Sequence, residues 1–210
     1  MYKGKFITFE GGEGSGKSTQ IDVLFHKLKN KGIDVLKTRE PGGTNVGENI
    51  REILVTGKTN DITPLTELYL NSASRKEHIE KLIKPSLDKG KWVLCDRFTD
   101  STIVYQGYAH GLDLKMIKNL NHLIVGKYEP DLTFIFDIHP EIGLKRAKKI
   151  NTNENRYEQM DISFHLKIRN SFLEIAKLNK QKYLIIDASL NKERISEDIL
   201  KTVFNRYLIE

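Results

Sequence analysis

Cysteine is nearly absent from this chain, which contains one, Cys95, among 210 residues. A single cysteine excludes an internal disulfide and agrees with a reducing compartment. Cys95 lies in the apolar run WVLC, and a thiol in such a run is more typical of a core than of a nucleophile. Long apolar runs are also missing, including a signal-peptide stretch in the first ten residues. We therefore expect a soluble, cytoplasmic protein with no membrane partner.

Linkers, low-complexity tracts and internal repeats are missing as well, so we expect a single domain over residues 1–210. The 34 basic and 28 acidic residues leave a net charge of +6. This charge favours anionic partners, or it reflects no more than a solvated, lysine-rich surface. The basic residues are not interleaved with aromatic ones, as they are in proteins that bind single strands. We expect no nucleic-acid partner.

Five short apolar runs predict buried strands, at residues 6–9, 33–36, 92–95, 132–138 and 183–186. Their nearly continuous hydrophobicity is typical of a parallel sheet that is covered on both faces. Helical patterns lie between them, at residues 17–31, 45–56, 64–89, 113–126, 140–150, 160–180 and 192–208. Pro64 suits the start of the third helix, and Pro85 predicts a kink or break in it. The fold class is therefore α/β, a three-layer sandwich with a five-stranded parallel sheet.

The segment GGEGSGKS, residues 11–18, fits the phosphate-loop pattern G-x-x-x-x-G-K-[ST] between a predicted strand and a helix. Glycines let backbone N–H groups turn toward an anion, and the helix N-terminus adds partial positive charge. We expect Lys17 to reach the β- and γ-phosphates of ATP and to act in catalysis, and Ser18 to bind Mg²⁺. The predicted ATP-binding residues are Gly11, Gly12, Glu13, Gly14, Ser15, Gly16, Lys17, Ser18 and Thr19.

Asp96 follows the third predicted strand, where a carboxylate is the expected second partner of Mg²⁺ beside Ser18. A helix cap is the other interpretation of Asp96. The guanine-specifying pattern N-K-x-D of a GTPase switch is missing, because residues 179–182 read NKQK and residues 191–194 read NKER. A switch or motor is therefore not expected.

Two further motifs are narrower than the phosphate loop: REPGGT at residues 39–44 and DRFTDSTIVYQG at residues 96–107. Together with FITFE before the loop, they resemble the thymidylate kinases, the dTMP kinases of bacteria. The similarity extends along essentially the whole chain. It implies a phosphate-loop nucleoside monophosphate kinase that phosphorylates dTMP to dTDP with ATP and Mg²⁺, in dTTP biosynthesis. It also implies a homodimer.

The resemblance assigns roles to the acceptor side. Arg51 and Arg97 correspond to positions that grip the acceptor phosphate, and Arg75 to the donor for the thymine 4-oxo group. Tyr105 resembles the ring that crowds the sugar 2′ position, and Glu10 the acid near the 3′-hydroxyl and the metal. The residues expected to bind dTMP are Glu10, Arg51, Asn71, Arg75, Arg97, Phe98, Thr102, Tyr105 and Gln106. Glu40 lies near the same pocket in relatives and is included among the catalytic candidates without a firm role.

Thr102 and Gln106 are four residues apart and therefore share a helix face. Both side chains donate and accept hydrogen bonds, which suits a pyrimidine edge. One position departs from the family pattern, because many relatives have a stacked phenylalanine where this chain has Asn71. Either Phe98 or Tyr69 supplies the ring instead, or stacking on the base is weaker here.

Glu13 occupies a loop position where some relatives carry a basic residue, so a further cation is expected elsewhere. Residues 144–157, LKRAKKINTNENRY, combine a basic helix end with a polar turn and resemble the lid of the bacterial subgroup. We expect Lys148, Lys149 and Arg156 to act as the missing phosphate clamp, beside Lys17 and Arg97 in catalysis. A solvated helix end with lysines favoured by the helix dipole is the alternative.

Two other functions stay open at this point. A deoxynucleoside kinase shares the phosphate loop, but it needs a carboxylate base for a sugar hydroxyl and has less use for two arginines on an acceptor phosphate. A basic ATP-binding module on nucleic acid is not an enzyme of this kind, and its ATP turnover depends on DNA or RNA. Thymidine, dTMP and nucleic acid, offered in turn, separate the three functions.

Overall fold

Five parallel strands form the centre of the computed structural model, which describes residues 4–149 and 154–208. The strands are β1 (Phe6–Gly11), β2 (Val35–Arg39), β3 (Trp92–Asp96), β4 (Leu132–Asp137) and β5 (Tyr183–Asp187). Their order in the sheet is β2-β3-β1-β4-β5. All five strands predicted from apolar runs are confirmed, with ends that differ by up to three residues. The predicted parallel α/β class is confirmed as well.

Nine α-helices surround the sheet within the described residues. They are α1 (Lys17–Asn30), α2 (Asn45–Val55), α3 (Pro64–His78), α4 (Lys84–Asp88), α5 (Thr99–Thr102), α6 (Leu114–Val125), α7 (Pro140–Ala147), α8 (Ile162–Leu178) and α9 (Lys192–Tyr207). The seven predicted helical segments are confirmed. The predicted end of the fifth of them, at residue 150, lies outside the described residues.

Helices cover both faces of the sheet. On one face, α1 and α9 pack through residues such as Leu24 and Ile199 against the apolar side chains of β1 and β4. On the other face, α8 packs through Phe172 against Ile135, and Cys95 lies in the core with Phe6. Every residue of β1 is buried, which explains why its sequence does not alternate between polar and apolar residues.

In the part of the chain that the structure describes, two segments are π-helical. The first, Ile79–Ile83, joins α3 to α4; it ends just before Pro85, whose nitrogen cannot donate to an earlier carbonyl. The second, Ile103–Ala109, continues α5 and carries Tyr105 and Gln106. We expected Thr102 and Gln106 on one helix, and the structure places the first in α5 and the second in this π-helical segment. Such widened turns are frequent at functional sites.

Three motif-bearing turns meet at the carboxyl edge of the sheet. The phosphate loop follows β1, REPGGT follows the end of β2, and DRF begins at the end of β3. Because the strands are parallel, these turns share one edge, where ligands bind in open α/β sheets. Among the described residues, no helix combines the length and the apolar character that crossing a membrane requires.

Candidate active site

The phosphate loop closes around its own lysine. Lys17 Nζ donates to the carbonyl oxygens of Gly11 and Gly12 at 3.1 and 2.9 Å. Gly14 has a φ of 63°, in the left-handed region, and a Cβ atom there would lie 2.0 Å from the carbonyl oxygen of Gly143. Glycine is therefore required at this position, both for its conformation and for the close approach of α7.

Burial and the nearby charge of Arg97 together lower the pKa of Lys17 to about 8, although Asp96 and Glu13 act in the opposite direction. The pKa of the ammonium group thus lies about one unit above neutral pH, so the group is mostly protonated there. A bound anion offsets such an effect, because an opposite charge favours the protonated form. The loop therefore has the electrostatic character of a site that is completed by phosphate.

Ser18 and Asp96 come together across the carboxyl edge. Ser18 Oγ donates to Asp96 Oδ2 at 2.7 Å. The other carboxylate oxygen, Oδ1, is buried and has no hydrogen-bond partner among the described residues. Oxygen ligands of this kind suit Mg²⁺, so the two residues fit the predicted metal site. Their role as metal ligands stays a prediction.

Glu13 faces a cation rather than the space for an anion. Its Oε1 accepts from Arg97 Nη2 at 2.8 Å and from the Tyr105 hydroxyl at 2.9 Å. Burial alone raises the pKa of Glu13, but Arg97, Lys17 and the Tyr105 hydroxyl outweigh it and lower the pKa to about 2. The carboxylate is therefore ionised and holds the guanidinium beside the phosphate loop.

Arg97 has an unusual backbone, with a φ of 66°. This left-handed conformation is uncommon for a residue with a side chain and tends to persist at functional sites. It turns the chain at the end of β3, and Arg97 Nη1 donates to the carbonyl oxygen of Gly11 at 3.0 Å. The side chain is thereby fixed against the loop.

Two of the clefts at this edge adjoin each other. The larger has about 1640 Å³ of space, partly open to solvent, and is lined by residues 13–20 and by Arg146 and Lys192, among others. The smaller has about 650 Å³. Five residues line both clefts: Glu13, Glu40, Arg51, Arg97 and Glu158. The two arginines therefore lie where the clefts meet. Gly11 and Gly12 are not among the residues that line the larger cleft, and their carbonyl oxygens accept from Lys17.

Arg51 belongs to α2, whose N-terminus is capped by the Thr44 side chain accepting from Gly47 N. The guanidinium donates to both carboxylate oxygens of Glu154, at 3.0 and 2.7 Å, and to the carbonyl oxygen of Pro41 at 3.0 Å. A planar guanidinium that binds a carboxylate through two parallel bonds can bind a phosphate in the same way. Glu154 thus shows the binding mode that we expect for the acceptor phosphate.

Buried charges form the wall of the smaller cleft. Arg75 donates to Glu40 Oε2 at 2.7 Å, to Asn121 Oδ1 at 3.2 Å and to the carbonyl oxygen of Phe98 at 3.0 Å. The other Glu40 oxygen lies 3.0 Å from Nδ1 of His78. Glu40 therefore holds Arg75 in place at the cleft, which is a structural role for a residue that we had included among the catalytic candidates.

The remaining base-pocket candidates line the smaller cleft: Asn71, Phe98, Thr102, Tyr105 and Gln106. Tyr69 does not, because 56% of it is exposed on the outer face of α3. A ring that we did not predict, Tyr157, lines the cleft and packs edge-on against Tyr105 with centroids 5.3 Å apart. Tyr157 is the last residue of the segment LKRAKKINTNENRY, which was the available signal.

Glu10 lies beneath the turn after β3. Its side chain is completely buried and accepts from the backbone N–H of Phe98 at 2.8 Å and from Ser101 Oγ at 2.6 Å. Burial and the charge of Asp100 raise its pKa to about 8. Glu10 therefore supports the turn after β3 and lines neither cleft. Its contact with dTMP stays a prediction.

Arg156 is not among the residues that line the two clefts. We expected it to act as a lid cation, but its side chain is buried and paired with Glu67. It also donates to the carbonyl oxygens of Leu54 and Thr59, at 2.5 and 3.3 Å. These bonds join the guanidinium at the end of the expected lid segment to α2 and α3, away from the larger cleft. A role of Arg156 as a lid cation stays a prediction.

The other lid candidates give a mixed result. Lys148 and Lys149 are exposed and are not among the residues that line the described clefts. Arg146, which we did not select, lines the larger cleft and donates to the carbonyl oxygen of Ala188 at 2.9 Å. Residues 150–153 of the expected lid lie outside the described residues. A clamp by the lysines stays a prediction.

The comparisons with known proteins agree with this geometry. The family model for thymidylate kinase matches residues 9–199. A thymidylate kinase of Magnetococcus marinus is 46% identical over 207 residues, which cover 99% of each chain. One of Afipia carboxidovorans is 45% identical over 206 residues, or 97% of this chain and 90% of the relative.

A solved structure adds the fold. The crystal structure of a thymidylate kinase from Ehrlichia chaffeensis has a TM-score of 0.77 to this chain and 37% identity, and it covers 95% of this chain and 98% of its own. The chain belongs to the thymidylate kinase family. The family resemblance and the kinase class expected from the sequence are confirmed, and none of these relatives favours the deoxynucleoside kinase alternative.

Proposed function

We propose that the larger cleft holds ATP, that the smaller holds dTMP, and that the chain transfers the γ-phosphoryl group of ATP to dTMP to give dTDP for dTTP biosynthesis. Family membership supports dTMP phosphorylation. The observation that supports the division of the clefts is the position of Arg51 and Arg97, which line both. Two guanidinium groups at the junction of two clefts suit two polyanions that must approach each other.

The acceptor in this reaction is a phosphate monoester. A phosphate oxygen of dTMP forms a bond to the γ-phosphorus, and the bond from that phosphorus to the bridging oxygen of ADP breaks. The attacking oxygen is already anionic near neutral pH, so no general base is needed. Catalysis then depends on positioning and on stabilising the charge of the transferred group. Arg97 and Lys17 approach that group from the loop side, and Arg51 from the acceptor side.

Ser18 and Asp96 would hold Mg²⁺, which neutralises charge on the β- and γ-phosphates when it is bound. The hydroxyl and carboxylate oxygens that meet there and the unpartnered Asp96 Oδ1 support this assignment. Glu13 has a different task in this scheme. It holds Arg97 through a bond of 2.8 Å, so the loop acid positions a cation instead of opposing the phosphate.

The smaller cleft suits a thymine base. Arg75 presents guanidinium nitrogens for the 4-oxo group, and Thr102 and Gln106 offer hydrogen-bonding groups from adjoining helical segments. Tyr105, Tyr157 and Phe98 supply rings around the cleft in place of the phenylalanine that Asn71 replaces. We also assign to Tyr105, which lines this cleft, the exclusion of a 2′-hydroxyl, which favours the deoxyribose sugar.

The assembly and the compartment are proposals too. We propose one domain over residues 1–210, with a lid near residues 144–157, acting as a homodimer in the cytoplasm. Exposed apolar side chains on α2 and α3, Val46, Ile53 and Tyr69, support a covered helical face. The buried, unpaired Cys95 agrees with a reducing compartment.

One experiment tests this function. ADP formation is measured in a coupled assay with Mg²⁺ and ATP, and dTMP, dUMP, dCMP, dGMP, thymidine and single-stranded DNA are offered in turn. We expect dTMP to give the highest kcat/KM. Thymidine turnover above that of dTMP would support a deoxynucleoside kinase, and ATP turnover stimulated by DNA alone would support a nucleic-acid-dependent module.

A further inference from the structure

A buried carboxylate lies directly behind the base cleft. Glu67, in the first turn of α3, is 1% exposed, and the phosphate chemistry described above does not use it. Its Oε1 accepts from Gln106 Nε2 at 2.5 Å, and its Oε2 accepts from Arg156 Nη2. Nε2 of His110 is 3.7 Å from Oε1. A carboxylate this deep is tolerated because it is paired and hydrogen-bonded.

The charge on Glu67 determines which way the Gln106 amide faces. An ionised carboxylate accepts hydrogen bonds and cannot donate them, so the group that meets it must be the NH₂ of the amide. Arg156, itself 2% exposed and fixed by the Leu54 and Thr59 carbonyl oxygens, can only donate, so Glu67 Oε2 is its acceptor. The orientation of Gln106 therefore follows from chemistry, and its carbonyl oxygen is left for the cleft that Gln106 lines.

We infer that Glu67 is a positioning residue for base choice: it turns the carbonyl oxygen of Gln106 toward the acceptor cleft, where it accepts from an imide N–H of the pyrimidine. Thymine and uracil carry such an N–H at N3. Cytosine carries a lone pair at N3, so two acceptors would face each other. This inference rests on the proposed function, in which Gln106 contacts the base.

The bond between Glu67 and Gln106 adds a second determinant of base selectivity to the guanidinium of Arg75. Arg75 favours an oxo group at position 4, and the oriented Gln106 favours a hydrogen at the neighbouring N3. The two groups together match the donor–acceptor pattern of an imide edge. Loss of the Gln106 orientation should reduce the preference for dTMP over dCMP by roughly 10- to 100-fold, the range for one hydrogen bond replaced by an unpaired buried group.

The test compares kcat/KM for dTMP and dCMP in the wild type and in Glu67→Gln. A glutamine at position 67 can donate as well as accept, so the Gln106 amide is free to turn over. We expect the dTMP/dCMP ratio to fall by at least 10-fold, chiefly through KM for dTMP. The ratio is independent of the fraction of folded enzyme, because that fraction cancels. Glu77→Gln on the same helix is the matched control and should keep the wild-type ratio.

Exchanging the carboxylate and the amide between positions 67 and 106 distinguishes an effect on the orientation of the amide from a general structural effect. In the double variant Glu67→Gln with Gln106→Glu, the amide at 67 donates to the carboxylate at 106, and the second carboxylate oxygen faces the cleft as an acceptor. We expect this variant to regain a dTMP/dCMP ratio within a few-fold of the wild type. The single change Gln106→Glu should not, because two carboxylates then meet behind the cleft.

The outcomes distinguish the two levels of the proposal. An unchanged dTMP/dCMP ratio in Glu67→Gln, or no recovery of that ratio in the double variant, would overturn the role of Glu67 and leave the proposed function intact. If Gln106→Leu kept wild-type kinetics with dTMP, the base cleft of the proposed function would be misplaced. If Glu67→Gln does not fold, recovery or its failure in the double variant decides the inference.

Discussion

The donor side and the acceptor side of the active site are built in different ways. The phosphate loop uses backbone groups and side chains that are close in sequence, within residues 11–19. The smaller cleft uses buried ion pairs between distant residues, such as Arg75 with Glu40, 35 positions apart, and Arg156 with Glu67, 89 positions apart. In the phosphate loop, the charge of the substrate phosphates is needed to balance Lys17. In the smaller cleft, the buried arginines are already paired with carboxylates in the free enzyme.

This difference predicts how the two sides respond to mutation. A residue that meets only the substrate can be removed with little effect on folding, because water solvates its surroundings in the free enzyme. A residue in a buried pair cannot, because its partner is left as an uncompensated charge. We therefore expect substitutions on the donor side to lower kcat and leave the free energy of unfolding nearly unchanged. Substitutions on the acceptor side should lower both the free energy of unfolding and the affinity for dTMP.

The largest effect is expected at Lys17. Lys17→Ala should lower kcat by about 10³- to 10⁵-fold, the range for a cation that stabilises a transferring phosphoryl group. Calorimetry should show dTMP binding close to that of the wild type, because Lys17 is not among the residues that line the smaller cleft. Lys27→Ala, an exposed position on the same helix, is the control. Loss of dTMP binding in Lys17→Ala would contradict the prediction that the donor and acceptor sides respond independently to mutation.

Arg156→Met should act on stability instead. It leaves Glu67 buried without its charged partner, so the free energy of unfolding should fall by about 3–5 kcal/mol. The matched control is Arg39→Met, because Arg39 pairs with Glu48 on the exposed surface and such pairs contribute about 0–1 kcal/mol. Urea denaturation measures both. Equal losses in the two variants would mean that burial does not set the energetics of the acceptor side.

A pH profile sharpens the comparison further. The Lys17 pKa of about 8 in the free enzyme means that the ammonium is protonated below pH 8 and loses its charge above it. We expect kcat/KM for ATP to fall above pH 8, approaching tenfold per pH unit, because this parameter reports groups of the free enzyme. Binding of dTMP alone should not follow this profile. A flat profile to pH 10 would place the pKa of Lys17 near its ordinary value.

The smallest effect is expected at Thr102. Thr102→Val removes a hydroxyl from the base cleft, and one hydrogen bond between neutral groups contributes about 0.5–1.5 kcal/mol. KM for dTMP should rise by a few-fold to about tenfold, with kcat nearly unchanged. Thr202→Val on α9 is the control, since it makes the same change on the opposite face of the sheet, where the Thr202 hydroxyl donates to the carbonyl oxygen of Asp198 at 2.8 Å. Equal kinetics in both variants would remove Thr102 from the pocket.

The donor side was predictable from the sequence because its determinants are local. Apolar runs indicated all five strands, and the spacing of glycines, Lys17 and Ser18 indicated the loop between β1 and α1. The proximity of Ser18 and Asp96 followed from the rule that parallel strands end at the same edge. These features depend on hydrophobic periodicity and chain direction, which a single sequence records directly.

The acceptor side was predictable only in part. The motifs indicated Arg51, Arg75 and Arg97, but not which basic residue of the lid would be buried. Arg156 and Lys149 look alike in a list of charges, and the fold separates them because Glu67 offers one of them a buried partner. The burial of Glu10 beneath the turn after β3 depends on pairing between distant segments in the same way.

The junction of the two clefts is tested most directly by a ligand that must occupy both. An analogue that joins adenosine and thymidine through a chain of phosphates is titrated by calorimetry into the wild type, alone and with saturating ATP or dTMP. We expect one molecule to bind per chain, with either substrate alone sufficient to weaken its binding. If only one of the two substrates competes, or if two molecules bind per chain, Arg51 and Arg97 do not mark the point where the phosphates meet.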